Sequence, residues 1–216
     1  MTGVPEMGES VPTEHQPQPT IPEHRTQLRP TNEIPTAVAV QAILLRTDDI
    51  AVAIAGARAY RHGVELHFQL HVRPGARCTA LGAFAGYPGG TKDQFLIGLE
   101  FADGRTVTNW PGDPTDPDTP TLMASASGGS TLLATANYYL TPLPPPGRLS
   151  VIGAWPARQI AEHRIELDTD AIRQGAATST VLWPQQPDTP STPLPTIPPA
   201  IEPDGWFART RPSLIA

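Results

Sequence analysis

Strict two-residue alternation, closely spaced turn signals and a single short helical pattern predict an all-β fold. The clearest strand is Val64 to Val72, where Val64, Leu66, Phe68, Leu70 and Val72 alternate with Glu65, His67, Gln69 and His71. Successive side chains of a strand point to opposite faces, so the first set faces a core and the second faces water. Nine or ten short strands with turn residues between them predict an immunoglobulin-like antiparallel two-sheet sandwich in preference to a barrel. The Cys–Trp–Cys hallmark of true immunoglobulin domains is missing, since Cys78 is the only cysteine.

Residues 37–183 carry these strands. The first is expected at Ala37 to Thr47, with Val38, Val40, Ala42 and Leu44 on one face, and Asp48-Asp49 as a turn. Ile50–Tyr60 and Val64–Arg73 form a hairpin over Arg61-His62-Gly63, with glycine where a positive φ is useful. Pro74-Gly75 ends it, and the glycine-rich residues 76–92 make a loop. Phe95, Ile97, Leu99 and Phe101 alternate with Leu96, Gly98 and Glu100. Asp103-Gly104 turns the chain into Arg105–Trp110, and an acidic, proline-rich loop covers 111–120.

A short strand is expected over Thr121–Ala126, and Gly128-Gly129-Ser130 turns into Thr131–Leu140. On that strand Leu132, Ala134, Ala136, Tyr138 and Leu140 share a face. Pro142, Pro144, Pro145, Pro146 and Gly147 cannot continue a ladder. Leu149–Trp155 and Ile160–Leu167 follow, the latter with Glu162, Arg164 and Glu166 outward and His163, Ile165 and Leu167 inward. Asp168-Thr169 caps one helix over Thr169–Ala177, and Thr178–Trp183 is the last strand.

The flanks differ in composition. Of 27 prolines, seven fall in residues 1–36 and nine in residues 184–216. With almost no apolar periodicity, both are expected to be disordered tails. Net charge is −6, from 15 basic and 21 acidic residues, and no basic stripe exists to hold nucleic acid or an anionic membrane. The N-terminus has no secretory pattern, no run suits a membrane helix, and the expected location is the cytoplasm.

The middle of the chain resembles a family of uncharacterised, mostly actinobacterial proteins. The likeness rests on Ala51–Tyr60 with its short turn, the strand ending Val72-Arg73-Pro74, and a glycine-rich turn before an aromatic strand. It continues through Pro142-Leu143-Pro144-Pro145-Pro146-Gly147, Trp155-Pro156, the Asp168–Ala177 helix and Leu182-Trp183-Pro184. Together these span residues 37–184. The chain departs from the family at Leu133-Ala134-Thr135-Ala136-Asn137, where the family has a bulky aromatic segment. The resemblance implies a β-domain and carries no activity, cofactor or site.

Candidate sites are sparse. His67 and His71 share a strand face but lie four residues apart, roughly 13 Å, too far for one metal ion, and His62 sits in a turn. Glu65 and His67 have the spacing of an acid–base pair, a spacing strand neighbours often show without catalysis. Asp113, Asp116 and Asp118 lack the glycine and bidentate glutamate of a calcium loop. Gly86–Lys92 lacks the Gly-Lys-Ser/Thr order and the following helix of a phosphate loop. Cys78 has no activating pattern and is expected to be a small buried hydrophobe. Tyr139, expected to face outward, would make a sugar or peptide platform with Trp110. Trp206-Phe207 is an aromatic pair with acidic residues before it and arginines after, the pattern of a docking peptide.

The leading expectation is therefore a non-enzymatic protein-binding or scaffold module without a cofactor, with Trp206 and Phe207 as partner-binding residues. Alternatives are a carbohydrate-binding module using exposed aromatics and an enzyme with an unrecognised site.

Overall fold

The computed structural model describes residues 29–84, 93–109 and 119–184. It is an antiparallel β fold with one α-helix among the described residues. The strands are β1 (Glu33–Ile34), β2 (Thr36–Val38), β3 (Ala42–Arg46), β4 (Ile50–Tyr60), β5 (Gly63–Val72), β6 (Leu96–Glu100) and β7 (Thr106–Thr108). Then come β8 (Thr121–Gly129), β9 (Leu133–Thr141), β10 (Arg148–Trp155), β11 (Ile160–Asp168), helix α1 (Asp170–Ala177) and β12 (Thr180–Val181).

The alternating strands form the centre of a six-stranded sheet ordered β2-β4-β5-β9-β8, with β3 also paired to β4. A four-stranded sheet runs β11-β10-β6-β7. One hydrophobic cluster joins them: Ile54, Leu66, Phe68 and Leu70 from the first sheet, Ile97, Leu99, Leu149 and Val151 from the second. These eight side chains are at most 1 % exposed, which is what two-residue periodicity over a shared core requires. Edge-on ring contacts run through the core from Tyr138 to Phe68, and from Phe84 through Phe95 to Trp155, at 5.8, 5.9 and 6.1 Å; a tilted contact of 6.5 Å links Phe68 to Phe84. Asn109 ties the sheets together: its side chain pairs with the Ile97 N–H and the Phe95 carbonyl, and its amide also donates to the Tyr138 hydroxyl.

Several elements differ from the pattern's expectation. The expected first strand is two, because the ladder to β4 breaks between Val38 and Ala42. A strand also forms earlier, where Glu33 and Ile34 pair with Val181 and Thr180. Leu132 and His163 are exposed, although His163 pairs with Gly153 and so stands on the core-facing side of its sheet. Gly63 is not in a positive-φ conformation; it is needed for space, as a Cβ there would fall 2.5 Å from the Tyr139 hydroxyl. Thr169 makes no side-chain cap to its helix. Its hydroxyl donates instead to the carbonyls of Pro145 or Gly147 and so fastens the proline block, while the Asp168 carboxylate accepts the Asp170 N–H. No described helix is long and apolar enough to cross a membrane.

Candidate functional site

The outer face of the six-stranded sheet carries Glu65, His67, His71 and Tyr139 from among the candidates singled out by the sequence. Cross-strand pairing sets its rows. His71 lies between Ala51 and Leu133, Gln69 between Ala53 and Thr135, His67 between Gly56 and Asn137, and Glu65 between Arg58 and Tyr139. Directly paired residues of an antiparallel ladder share a face, so these side chains stand side by side.

At one end of the face Glu65 is buried, not in water as its outward phase implies. Arg29 reaches one carboxylate oxygen at 3.2 Å, Arg58 the other at 3.0 Å, and the Ser125 hydroxyl donates to the first at 2.5 Å. The cover is the segment from Arg29 to Ile34, which crosses this end of the sheet. The Glu33 carboxylate accepts the Arg61 N–H, Asn32 donates to the Trp183 carbonyl, and β1 pairs with β12. Two tyrosines lie under the same cover. Tyr60 and Tyr139 meet edge-on with centroids 5.5 Å apart and are 3 % and 1 % exposed. Burial holds the Tyr139 phenol well above its usual range, reinforced by the charge of Glu33, the Tyr60 phenol and the charge of Glu65. Burial also raises Tyr60, and Glu65 adds to it against Arg29 and Arg58.

Farther along the face, four side chains form one hydrogen-bonded ladder. His71 Nε2 is 3.2 Å from Gln69 Oε1, Gln69 Nε2 is 3.2 Å from His67 Nε2, and His67 Nδ1 is 2.5 Å from Asn137 Oδ1. Small residues flank it, with Ala51, Ala53 and Gly56 on β4 and Ala126 and Gly128 on β8 beyond β9. The β8 edge is exposed from Met123 to Gly129 and, among the described residues, pairs only with β9.

This geometry corrects two expectations. Tyr139 is buried, so it offers no outward ring for a sugar platform, and its intended companion Trp110 lies outside the described residues. Glu65 and His67 are not an acid–base pair: the carboxylate is taken by Arg29, Arg58 and Ser125, the imidazole by Asn137 and Gln69. His62 is exposed in its turn. Cys78 is half-buried against the core. Among the described residues, no three His, Cys, Asp or Glu side chains are grouped to hold a metal ion. Gly86–Lys92, Asp113, Asp116, Asp118, Trp206 and Phe207 lie outside the described residues. Arg29, Glu33, Arg58, Tyr60, Ser125 and Asn137 are members of this face that the sequence pattern missed; the alternation of β9 marks Asn137 as outward, but nothing local marks Arg29 or Glu33.

No family model, curated protein or solved structure matches the chain.

Proposed function

We propose that the chain is a non-catalytic protein-binding module built on an immunoglobulin-like β-sandwich. Its partner adds a strand to the free edge of β8 and lies over the outer face beside it. The observation that carries this reading is the character of β8: nine residues long, exposed from Met123 to Gly129, and free of charged residues and proline. Natural edge strands are usually blunted by lysine, proline or inward charges, whereas peptide-binding edges keep their backbone groups open. The small side chains of Ala124 to Gly129 let another backbone approach closely. The proline-rich flanks add segments suited to peptide recognition, and Trp206 with Phe207 is a second docking element in the same reading.

Selection of displayed extended peptides on the immobilised full chain tests this. Neighbouring strand residues point their N–H groups to opposite edges, so Ala126→Pro and Ser127→Pro separate the edges. One removes an outward donor and leaves the fold intact; the other breaks a bond to β9 and lowers stability. The expected result is loss of peptide binding in the variant that keeps its melting temperature. Selected peptides that bind that variant as well as the parent would overturn the edge. A chain ending after Trp183 separates binding by the domain from binding through Trp206 and Phe207.

A further inference from the structure

The ladder His71–Gln69–His67–Asn137 has a closed donor–acceptor logic. Asn137 Oδ1 only accepts, so His67 Nδ1 carries the hydrogen between them. A neutral His67 then has a lone pair on Nε2, which accepts from the Gln69 amide nitrogen. Gln69 Oε1 in turn accepts from His71 Nε2. With both rings neutral, the remaining nitrogen of the exposed His71, Nδ1, is an acceptor.

We propose that this ladder is a single-proton switch that inverts the hydrogen-bonding character of His71. A proton on His67 turns its Nε2 into a donor facing the Gln69 NH2. Rotation of the Gln69 amide by half a turn resolves that clash and offers Oε1 to the imidazolium. The NH2 then faces His71 Nε2, which must accept, so the hydrogen of the neutral His71 moves to Nδ1. A proton on His71 instead gives Nδ1 a hydrogen directly, and Gln69 keeps its orientation. In both one-proton states His71 Nδ1 has become a donor. With both rings protonated, one of them must turn its Nε2–H away from Gln69, because the single Oε1 faces only one ring at a time.

Among the described residues, most neighbours of the ladder on the sheet carry no charge. The cross-strand neighbours Ala51, Ala53, Gly56, Leu133 and Thr135 carry no charge. Ser125, Ala126 and Ser127 on β8 carry none either. Glu65, two residues along β5, is held by Arg29 and Arg58. At the other end, Arg46 lies in the row of Ala51 and His71, and Arg73 pairs with Asp49. Imidazole is the side chain that ordinarily gains charge between about pH 5 and 8.

The test is nuclear magnetic resonance on the full chain, following the ring nitrogens of His67 and His71 and the Gln69 side-chain amide from about pH 8 to about pH 5. His71 Nδ1 is expected to change to a protonated-nitrogen shift with the first proton, with the Gln69 amide signals moving in the same step. In Gln69→Leu the two rings are expected to follow independent single-proton curves. Gln69 amide signals that stay still while the rings take up protons would overturn the proposal. So would ring curves that superimpose in wild type and Gln69→Leu. The wild-type amide readout needs no variant to fold, and Gln69→Thr repeats the comparison with a smaller polar side chain.

Discussion

The hydroxyl of Tyr139 occupies the space that a side chain on Gly63 would need. A Cβ on Gly63 falls 2.5 Å from that oxygen and 2.6 Å from the Leu140 carbonyl. The ring can yield a little, but the carbonyl belongs to the β5–β9 ladder and cannot. Gly63→Ala is therefore expected to destabilise the fold by about 2–3 kcal/mol, measured by urea unfolding. Tyr139→Phe removes only part of the clash, so the double variant is expected to recover less than half of the loss.

Tyr139→Phe alone has the opposite expectation. The hydroxyl is buried and has no hydrogen-bond partner among the described residues. A buried polar group without a partner costs about 1–3 kcal/mol, and its removal leaves the ring contact with Tyr60 intact. The variant should unfold at a higher urea concentration than the parent with an unchanged slope. A clear loss of stability would show that the oxygen has a partner, such as a bound water.

Glu65 and Arg29 should separate strongly in a mutational comparison. Glu65 is the buried acceptor of three donors, so Glu65→Gln is expected to cost about 2–3 kcal/mol while keeping its shape. Arg29 is 43 % exposed and can turn to water, so Arg29→Ala should cost less than about 1 kcal/mol. Thermal unfolding of both variants checks the order. Equal losses would mean that the covering segment is held mainly by this ion pair and not by the β1–β12 pairing.

These residues also mark where the sequence stops being legible. The core faces of β5, β6 and β9 were visible as alternation, because every second residue meets the shared core. Glu65 and Tyr139 obey the same alternation and point away from the core, yet they are buried. Their cover comes from Arg29–Ile34, a segment that contains Pro30 and has no periodicity, fastened to Thr180 and Val181. No local pattern encodes a pairing over that separation in sequence. The β4–β5 turn was legible as a hairpin but not for its reason, since the glycine answers to a ring on β9. Neither sheet order nor the Asn109 tie has a local signal, whereas the outward phase of His67, Gln69 and His71 does.

Gly153 should be as intolerant as Gly63, and for a reason internal to the core. A Cβ there would fall 2.6 Å from Leu44 Cδ2 and 2.8 Å from Phe95 Cζ, both fully packed. Gly153→Ala must push β3 or the Phe95 ring aside and is expected to cost about 1–3 kcal/mol. Near-ultraviolet circular dichroism should change as well, because Phe95 meets Trp155 edge-on. A variant as stable as the parent would mean that β3 moves off the small sheet freely.

Alkaline pH gives the last prediction. Burial raises the phenols of Tyr60, Tyr138 and Tyr139 above the ordinary value, so the folded chain holds these protons more tightly than the unfolded chain. Groups raised in this way contribute stability that is complete below the unfolded value of about 10 and is lost as pH climbs toward the folded values. Stability to urea should thus be level with respect to these groups up to about pH 9 and fall steeply above about pH 10. Phenolate absorbance should report the same coupling: three of the four tyrosines should ionise together with unfolding, in one cooperative step. Tyr138→Phe should remove part of the alkaline slope, at the expense of the bond from Asn109 to its hydroxyl. Phenolate appearing gradually in a chain that still shows its native circular dichroism would mean that water reaches these rings without unfolding.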